Sequence, residues 1–273
     1  MTINCLGQLV DLEAPKVMGI LNVTPDSFYD GGKYASHTDV LRHVEKMLSE
    51  GATFIDIGAF SSRPNAEMIT IEEEMQRIIP VIRLILKEFP SALLSIDTFR
   101  SKVAAACIEN GAAMINDIAA GNLDDKMFET IAKHKVPYIM MHMKGTPQTM
   151  QSLAQYDNIV KEMLFYFSEK IAKARSFGIN DLIIDPGFGF AKTLEQNYEV
   201  LRKLELFKIT GLPILAGVSR KSMVYKLLDS NAKDSLNATT VANTIALLKG
   251  AKILRVHDVK EAVEAVKLVS LAQ

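Results

Sequence analysis

Residues 93–117 read LLSIDTFRSKVAAACIENGAAMIND. Leu93–Ile96 is a short apolar run with strand chemistry, Ser101 can cap a helix, Gly111 can end it, and Ala113–Asn116 is a second short apolar run. A strand, a helix and a strand in one such stretch is the unit of a parallel sheet, whose neighbouring strands need a long crossover. The alternation continues in both directions. Val17–Leu21, Thr53–Ile57, Tyr138–Met141, Leu182–Ile184, Ile214–Gly217 and Ile253–Val256 are the other strand-like runs. Between them, sets such as Val40-Val44-Met47-Leu48 and Met75-Ile78-Ile79-Ile82-Ile85-Leu86 recur at three and four spacing and give each helix one buried face. Ser36, Thr70 and Thr193 are further candidate N-caps, and Gly51 and Gly178 follow helices.

Eight strand–helix units is the number that closes a (β/α)8 TIM barrel, and that α/β fold, as a single domain over residues 1–273, is the expectation. An open doubly wound sheet is the structural competitor, because strand order is not readable from one sequence. The residues before Val17 alternate around Gly7 and are expected to form a hairpin at the barrel floor.

Bulk properties narrow the function. The chain has 273 residues, 48% hydrophobic, with a net charge of −1, so it offers no basic surface for nucleic acid. No long uncharged apolar run marks a membrane span, and the first residues carry no cationic region followed by an apolar one; a cytoplasmic protein is expected. Cys5 and Cys107 lie far apart without ligand spacing and read as ordinary thiols rather than as a disulfide or zinc site.

In a barrel of this kind, polar residues at the strand ends project into the catalytic mouth. The ends read Asn22, Asp56, Asp97-Thr98, Asn116-Asp117, His142, Asp185-Pro186-Gly187-Phe188-Gly189-Phe190, Ser219-Arg220-Lys221-Ser222 and Arg255-Val256-His257-Asp258. Any one of them has an ordinary explanation as a cap or a satisfied core group, but eight together do not. Arg63, Arg255 and His257 fall on the loop after the second barrel strand and on the eighth strand, which become close neighbours on closure, and suit an oligoanion such as pyrophosphate. Asn22 lies between them, with Asp26 close in sequence, and oxygens beside phosphate are what Mg2+ prefers. Across the mouth, Asp97, Asn116, Asp185 and Lys221 offer two acceptors, an amide and a donor, a set suited to the edge of a flat heterocycle rich in N–H groups. Phe190 either covers a ring face or is a core aromatic. Gly187-Phe188-Gly189 lacks the third glycine of a dinucleotide fingerprint, and the 217–222 segment lacks P-loop spacing, which argues against NAD and ATP. The first and second loops, with Gly31-Gly32 and Pro64, are read as lids over a second substrate.

The chain resembles the dihydropteroate synthase family of pterin-binding, folate-pathway enzymes over nearly its whole length. The resemblance rests on GILNVTPDSF at 19–28, Ser62-Arg63-Pro64, Ser95-Ile96-Asp97-Thr98, Ile115-Asn116-Asp117, Met141-His142-Met143, DPGFGF at 185–190, Ser219-Arg220-Lys221-Ser222 and Arg255-Val256-His257-Asp258. It implies condensation of a (7,8-dihydropterin-6-yl)methyl diphosphate with 4-aminobenzoate, with Mg2+ as cofactor and pyrophosphate released. By the same resemblance, Asp97, Asn116, Asp185 and Lys221 hold the pterin, while Asn22, Ser62, Arg63, Arg255 and His257 hold the diphosphate. The metal sits on Asn22. Phe28, Pro64, Phe190, Ser219, Lys221 and Ser222 form the 4-aminobenzoate pocket, where sulfonamide inhibitors are expected to compete. Catalysis falls to Asp30, stabilising a pterin-methyl cation, and to Arg63, Lys221, Arg255 and His257. A homodimer through helices near the C-terminus is also implied.

His142 and Cys107 are read as structural, and Asp56 and Asp117 as anchors of polar networks. Phe60, Asn65 and Tyr29 depart from the family pattern, where many members carry Gly-Gly-Glu-Ser-Thr-Arg-Pro-Gly in place of residues 58–65. Two rivals remain at this point: a corrinoid-linked methyltransferase that binds methyltetrahydrofolate, and a catalytically silent pterin-binding module. Arg255 and His257 argue against the first, since methyl transfer releases no pyrophosphate, and the intact phosphate-binding set argues against the second.

Overall fold

The computed structural model describes residues 1–23, 37–60 and 69–272. Strands β1 (Thr2–Cys5) and β2 (Gln8–Asp11) pair antiparallel and precede the barrel strand β3 (Lys16–Asn22). Seven further strands follow: β4 (Phe54–Gly58), β5 (Leu93–Asp97), β6 (Met114–Asp117), β7 (Tyr138–Met141), β8 (Leu182–Asp185), β9 (Leu215–Ala216) and β10 (Ile253–Val256). Between and after them lie helices α1 (His37–Ser49), α2 (Ile71–Glu88), α3 (Ser101–Glu109), α4 (Met127–His134), α5 (Ile159–Ser176), α6 (Leu194–Arg202), α7 (Ser222–Tyr225), α8 (Leu236–Leu248) and α9 (Val259–Ala272).

The sheet order is β8-β7-β6-β5-β4-β3-β10-β9, all parallel, and a bridge from Ile184 to Ile214 joins its two edges. Closure excludes the open doubly wound sheet and gives the (β/α)8 barrel. The ninth strand is shorter than the sequence pattern predicts, because Ile214 makes only an isolated bridge to Ile184 and the chain leaves the ladder after Ala216.

Period-two alternation divides each strand into two faces. Val17, Leu21, Ile55, Ile57, Leu94, Ile96, Ile115, Leu182, Ile184, Leu254 and Val256 share one core with the helices. The opposite face, inside the barrel, is layered. Met18, Phe54, Met114, Ile139, Ile183, Leu215 and Ile253 fill the floor together with Ile3, Cys5, Val10 and Leu12 of the hairpin. The hairpin thus seals the base, as its alternation predicts, and turns through Leu6 and Gly7, both at positive φ, the conformation a tight hairpin requires. One layer up, the same faces carry Asp56, Ser95, Asn116 and Arg255, and above them stand Asn22, Asp97 and Asp185.

Capping agrees with the sequence at two helices. The Thr70 side chain accepts from the Glu73 N–H, and Thr193 with Gln196 forms a complete capping box on α6. At α3 it differs: Arg100 is the N-cap, and Ser101 is the first helical residue, its N–H donated to Asp124 Oδ2 at 2.7 Å.

The turn after β8 approaches the end of β7 so closely that a Cβ on Gly187, at φ +67°, would meet the His142 carbonyl oxygen at 2.2 Å. Neither backbone can yield. Gly187→Ala is expected to cost at least about 1–3 kcal/mol, read as a lower melting temperature; a melting curve matching the wild type would contradict this packing.

Candidate active site

Strand register places the mouth residues. Asn22 pairs with Gly58, Gly58 with Asp97, and Asp97 with Asn116, so their Cα atoms line up across four adjacent strands. Gly58 leaves room between its neighbours: a Cβ there would lie 3.5 Å from Asn22 Oδ1 and 3.6 Å from Asp97 Cβ. Arg255, on β10 beside β3, reaches inside the barrel to β4 and β5. Its Nε donates to Asp56 Oδ2 at 2.6 Å and its Nη2 to Asp97 Oδ2 at 2.8 Å. Asn116 Nδ2 donates to the same Asp56 oxygen at 3.1 Å, which ties four strands into one polar layer. Burial works against the Arg255 charge, but Asp56 and then Asp97 outweigh it and its pKa is raised.

That commitment qualifies the role expected for Arg255. Its Nε and Nη2 serve the two carboxylates, and Nη1 has no hydrogen bond to another of the described residues. Asp56 Oδ1 and Ser95 Oγ are buried with no partner among the described residues, so acceptor and donor capacity remains beneath the mouth.

Asp185 is 5% exposed, and its Oδ1 accepts the Gly187 N–H at 2.7 Å. Its pKa is raised by burial, opposed chiefly by the Lys221 charge and then by the Gly187 N–H. Lys221 donates to the Phe188 carbonyl at 2.5 Å and stands 4.9 Å from the Phe190 ring centroid. Burial pulls its pKa down to about 8 against the attraction of Asp185. A Cβ on Gly217 would lie 3.8 Å from Lys221 Nζ and 3.9 Å from Arg255 Cβ, so the glycine leaves room between the Lys221 ammonium and the base of the Arg255 side chain. Phe190 is half-buried and packs against the cluster of Phe99, Ile118, Met141 and Met143, presenting part of its surface to the mouth.

Ser219 and His257 meet at the ends of β9 and β10: Ser219 Oγ lies 3.0 Å from His257 Nδ1 and accepts the His257 N–H at 3.1 Å. The histidine pKa is lowered, by loss of hydration first and by Arg255 second. In the free protein His257 is therefore a neutral hydrogen-bonding ring, the uncharged form of a group that the sequence offers as a cation only potentially. Ser222 is half-buried at the first position of α7.

The loops carrying these groups are themselves held. Arg220, in the left-handed region at φ +53°, forms a two-pronged ion pair with Asp258 at 2.9 and 2.7 Å and donates to the Ala232 and Lys233 carbonyls. This pair welds the 219–222 segment to the end of β10. Asp117 is a network anchor, as read from sequence: it accepts from the Tyr138 hydroxyl at 2.6 Å and from the Ala119 and Gly121 N–H groups. His142 and Cys107 are buried, and His142 pairs with Lys192, a residue the sequence analysis passed over. Nothing in the sequence distinguishes Lys192 from a surface lysine, although it follows the Gly-rich turn by two residues. Phe28, Asp30, Ser62, Arg63 and Pro64 lie outside the described residues, as do Ser36 and the departures at Tyr29 and Asn65.

Residues 18–257 match the family model described as "Pterin binding enzyme". The dihydropteroate synthase of Escherichia coli (strain K12) is 44% identical over 265 residues, covering 96% of this chain and 93% of that protein. The structure of the Yersinia pestis dihydropteroate synthase in complex with a sulfonamide drug superposes with a TM-score of 0.94 at 41% identity, covering 100% of this chain and 99% of that one. That of the Xanthomonas albilineans enzyme in complex with 7,8-dihydropteroate gives a TM-score of 0.90 at 35% identity, covering 100% and 99%. A closed barrel with this polar mouth, matched from end to end by such relatives, belongs to the pterin-binding enzymes, and within them to the dihydropteroate synthase family.

Proposed function

We propose that the chain condenses a (7,8-dihydropterin-6-yl)methyl diphosphate with 4-aminobenzoate to give 7,8-dihydropteroate and pyrophosphate. It is a transferase of folate biosynthesis. The observation that carries the reading is the convergence of Asp97, Asn116, Asp185 and Lys221 on one mouth, beside Arg255 and His257.

In this reading the ring edge of the pterin donates to Asp185 and to Asp97, while Lys221 and Asn116 meet its carbonyl and remaining polar atoms. Hydrogen bonds to charged groups contribute about 1.5–3 kcal/mol each, so the set fixes orientation. The diphosphate lies toward Asn22, Arg255 and His257, joined by Ser62 and Arg63. The C–O bond to the leaving group breaks with both electrons going to pyrophosphate. The electron-rich ring, with Asp30, stabilises the methylene cation; the amine of 4-aminobenzoate then bonds to that carbon and loses a proton. Phe28, Pro64, Phe190, Lys221, Ser219 and Ser222 form the pocket of the second substrate, where sulfonamides compete. No side-chain nucleophile is needed, since positioning and preorganised charge carry the step.

Mg2+ fits as an ion carried by the substrate. Among the described residues no group of three or more His, Cys, Asp or Glu is placed to hold a metal, but Asn22 Oδ1 stands at the mouth beside Asp97. One protein oxygen plus substrate phosphates suits Mg2+, which keeps most of its waters. When bound, the ion supplies positive charge to the departing pyrophosphate.

The chain is proposed to work as one domain in the cytosol, where the free buried thiols of Cys5 and Cys107 stay reduced. No helix among the described residues is long and apolar enough to cross a membrane. A homodimer through the C-terminal helices is supported by Val241, Leu248, Leu268 and Leu271 of α8 and α9, which expose large apolar surface. Sedimentation at micromolar concentration is expected to show a dimer that Leu268→Glu with Leu271→Glu weakens; a wild-type monomer would contradict it.

Two substitutions separate ligand binding from folding. Burial raises the Asp185 pKa, so the folded chain holds that proton more tightly than the unfolded one. The resulting stability is full below the ordinary carboxylate range and is lost as pH rises through the raised value. Asp185→Asn removes that cost at neutral pH: melting is expected to hold or rise, while pterin affinity falls about 10- to 100-fold by calorimetry. Arg255→Ala leaves Asp56 and Asp97 unpaired and is expected to lower stability by about 3–5 kcal/mol. Wild-type pterin affinity in the first, or wild-type melting in the second, would refute these assignments.

A further inference from the structure

Lys192 is 5% exposed, an unusual state for a lysine. Its ammonium has three N–H groups and three partners: the Gly187 carbonyl at 3.0 Å, the Phe190 carbonyl at 3.0 Å and His142 Nδ1 at 3.2 Å. Gly187 and Phe190 are the two ends of one turn, since the Phe190 N–H also donates to the Gly187 carbonyl at 3.1 Å. The cation therefore binds the turn from inside and holds it against the end of β7.

This turn does not hold itself. Gly187, Gly189 and Ala191 all have positive φ, and Ala191 pays a steric cost for it that a glycine would not. Outside support comes from Asn197 Oδ1, which accepts the Gly189 N–H, from the Tyr156 hydroxyl, which donates to the Ala191 carbonyl, and from Lys192. Both charged members of the pterin subsite lean on the same turn. Asp185 takes its backbone hydrogen bond from Gly187, and Lys221 gives its ammonium hydrogen bond to Phe188 while standing over Phe190.

We infer that Lys192 is a positioning residue for the pterin subsite: its charged ammonium holds the 187–190 turn and, through it, keeps Asp185 and Lys221 in the arrangement that accepts the ring. The inference rests on the assignment of Asp185 to the pterin. A purely structural filler in this position would need only bulk, whereas a turn held by three directed donors needs the charge. Loss of the proton leaves an amine with two N–H groups for the two carbonyls and a lone pair that accepts from the other tautomer of His142, so what is lost is the charge that strengthens both carbonyl hydrogen bonds.

The surroundings set where that loss falls. Burial lowers the Lys192 pKa to about 7, opposed by Asp185 and assisted by Lys221 and Lys144. His142, whose pKa lies well below the ordinary histidine range through burial and then through Lys192, stays neutral and serves as acceptor. The Tyr156 phenol, near His142 and Lys144, is held neutral by burial. Lys144 in turn is paired with Glu162. As pH rises through neutrality the turn loosens and pterin affinity falls. Asp97, whose pKa burial raises to about 7 against the pull of Arg255, titrates in the same range, and Lys221, at about 8, follows.

The test is calorimetry from pH 6 to pH 9 with the substrate pterin lacking its diphosphate, on wild type, Lys192→Met, Lys192→Gln and Asp185→Asn, with melting curves for each. The expected result is a wild-type affinity that declines from near neutral pH. The Met and Gln variants, still folded, bind at least about tenfold more weakly at pH 6.5, and the part of the decline that comes from Lys192 is absent from their profiles. A wild-type affinity that is flat across the range overturns the inference without reference to any variant. So do folded Lys192 variants that bind within twofold of wild type or keep its pH profile. Tight binding by Asp185→Asn would instead overturn the pterin assignment itself, and the inference with it.

Discussion

A guanidinium stands inside the barrel between two carboxylates, and the rest of the site is arranged around it. Arg255 joins β10 to Asp56 on β4 and to Asp97 on β5, while Asn116 on β6 completes the layer. Charges removed from water at this depth are tolerated only when paired and hydrogen-bonded. Once paired, they mark the level at which the apolar floor gives way to a polar mouth. Below this layer the barrel and its hairpin form an ordinary core. Above it stand Asn22, Asp97 and Asp185, the polar ends of their strands.

The loops above that layer are held by charged side chains in the same manner. Arg220 fixes the 219–222 segment to Asp258, and Lys192 fixes the turn after β8 to the end of β7. Both act on backbone with positive φ, at Arg220 and Ala191, where the chain alone does not favour the observed path. Strain held by directed charge gives a rigid rim, which suits a reaction whose barrier is lowered by orientation and fixed dipoles rather than by a nucleophile.

Strand placement was legible because period two inside the barrel and spacings of three and four on the helices are local patterns, and the Thr70 and Thr193 caps are local too. The polar positions Asp56, Asn116 and Arg255 were visible for the same reason. What each one faces was not. Arg255 and Asp56 are 199 residues apart, and a charge at a strand end reads the same whether it meets a ligand or a carboxylate. The neutral state of His257 depends on Arg255 and on lost hydration, neither of which is written in its own segment. Ser101 was mistaken for a cap because its N–H is claimed by Asp124 from the next loop. Lys192 carried no signal, since burial of one lysine is a property of the closed turn.

The central claim is that this mouth joins a pterin-methyl diphosphate to an aromatic amine without covalent help from the protein. The direct measurement is pyrophosphate release by the purified protein with the dihydropterin diphosphate and Mg2+, with and without 4-aminobenzoate, while dihydropteroate is followed by chromatography. The account predicts dihydropteroate and pyrophosphate in equal amounts, with dihydropteroate formed only when both substrates are present. Tight pterin binding with no dihydropteroate formed would contradict it and leave a binding module in its place.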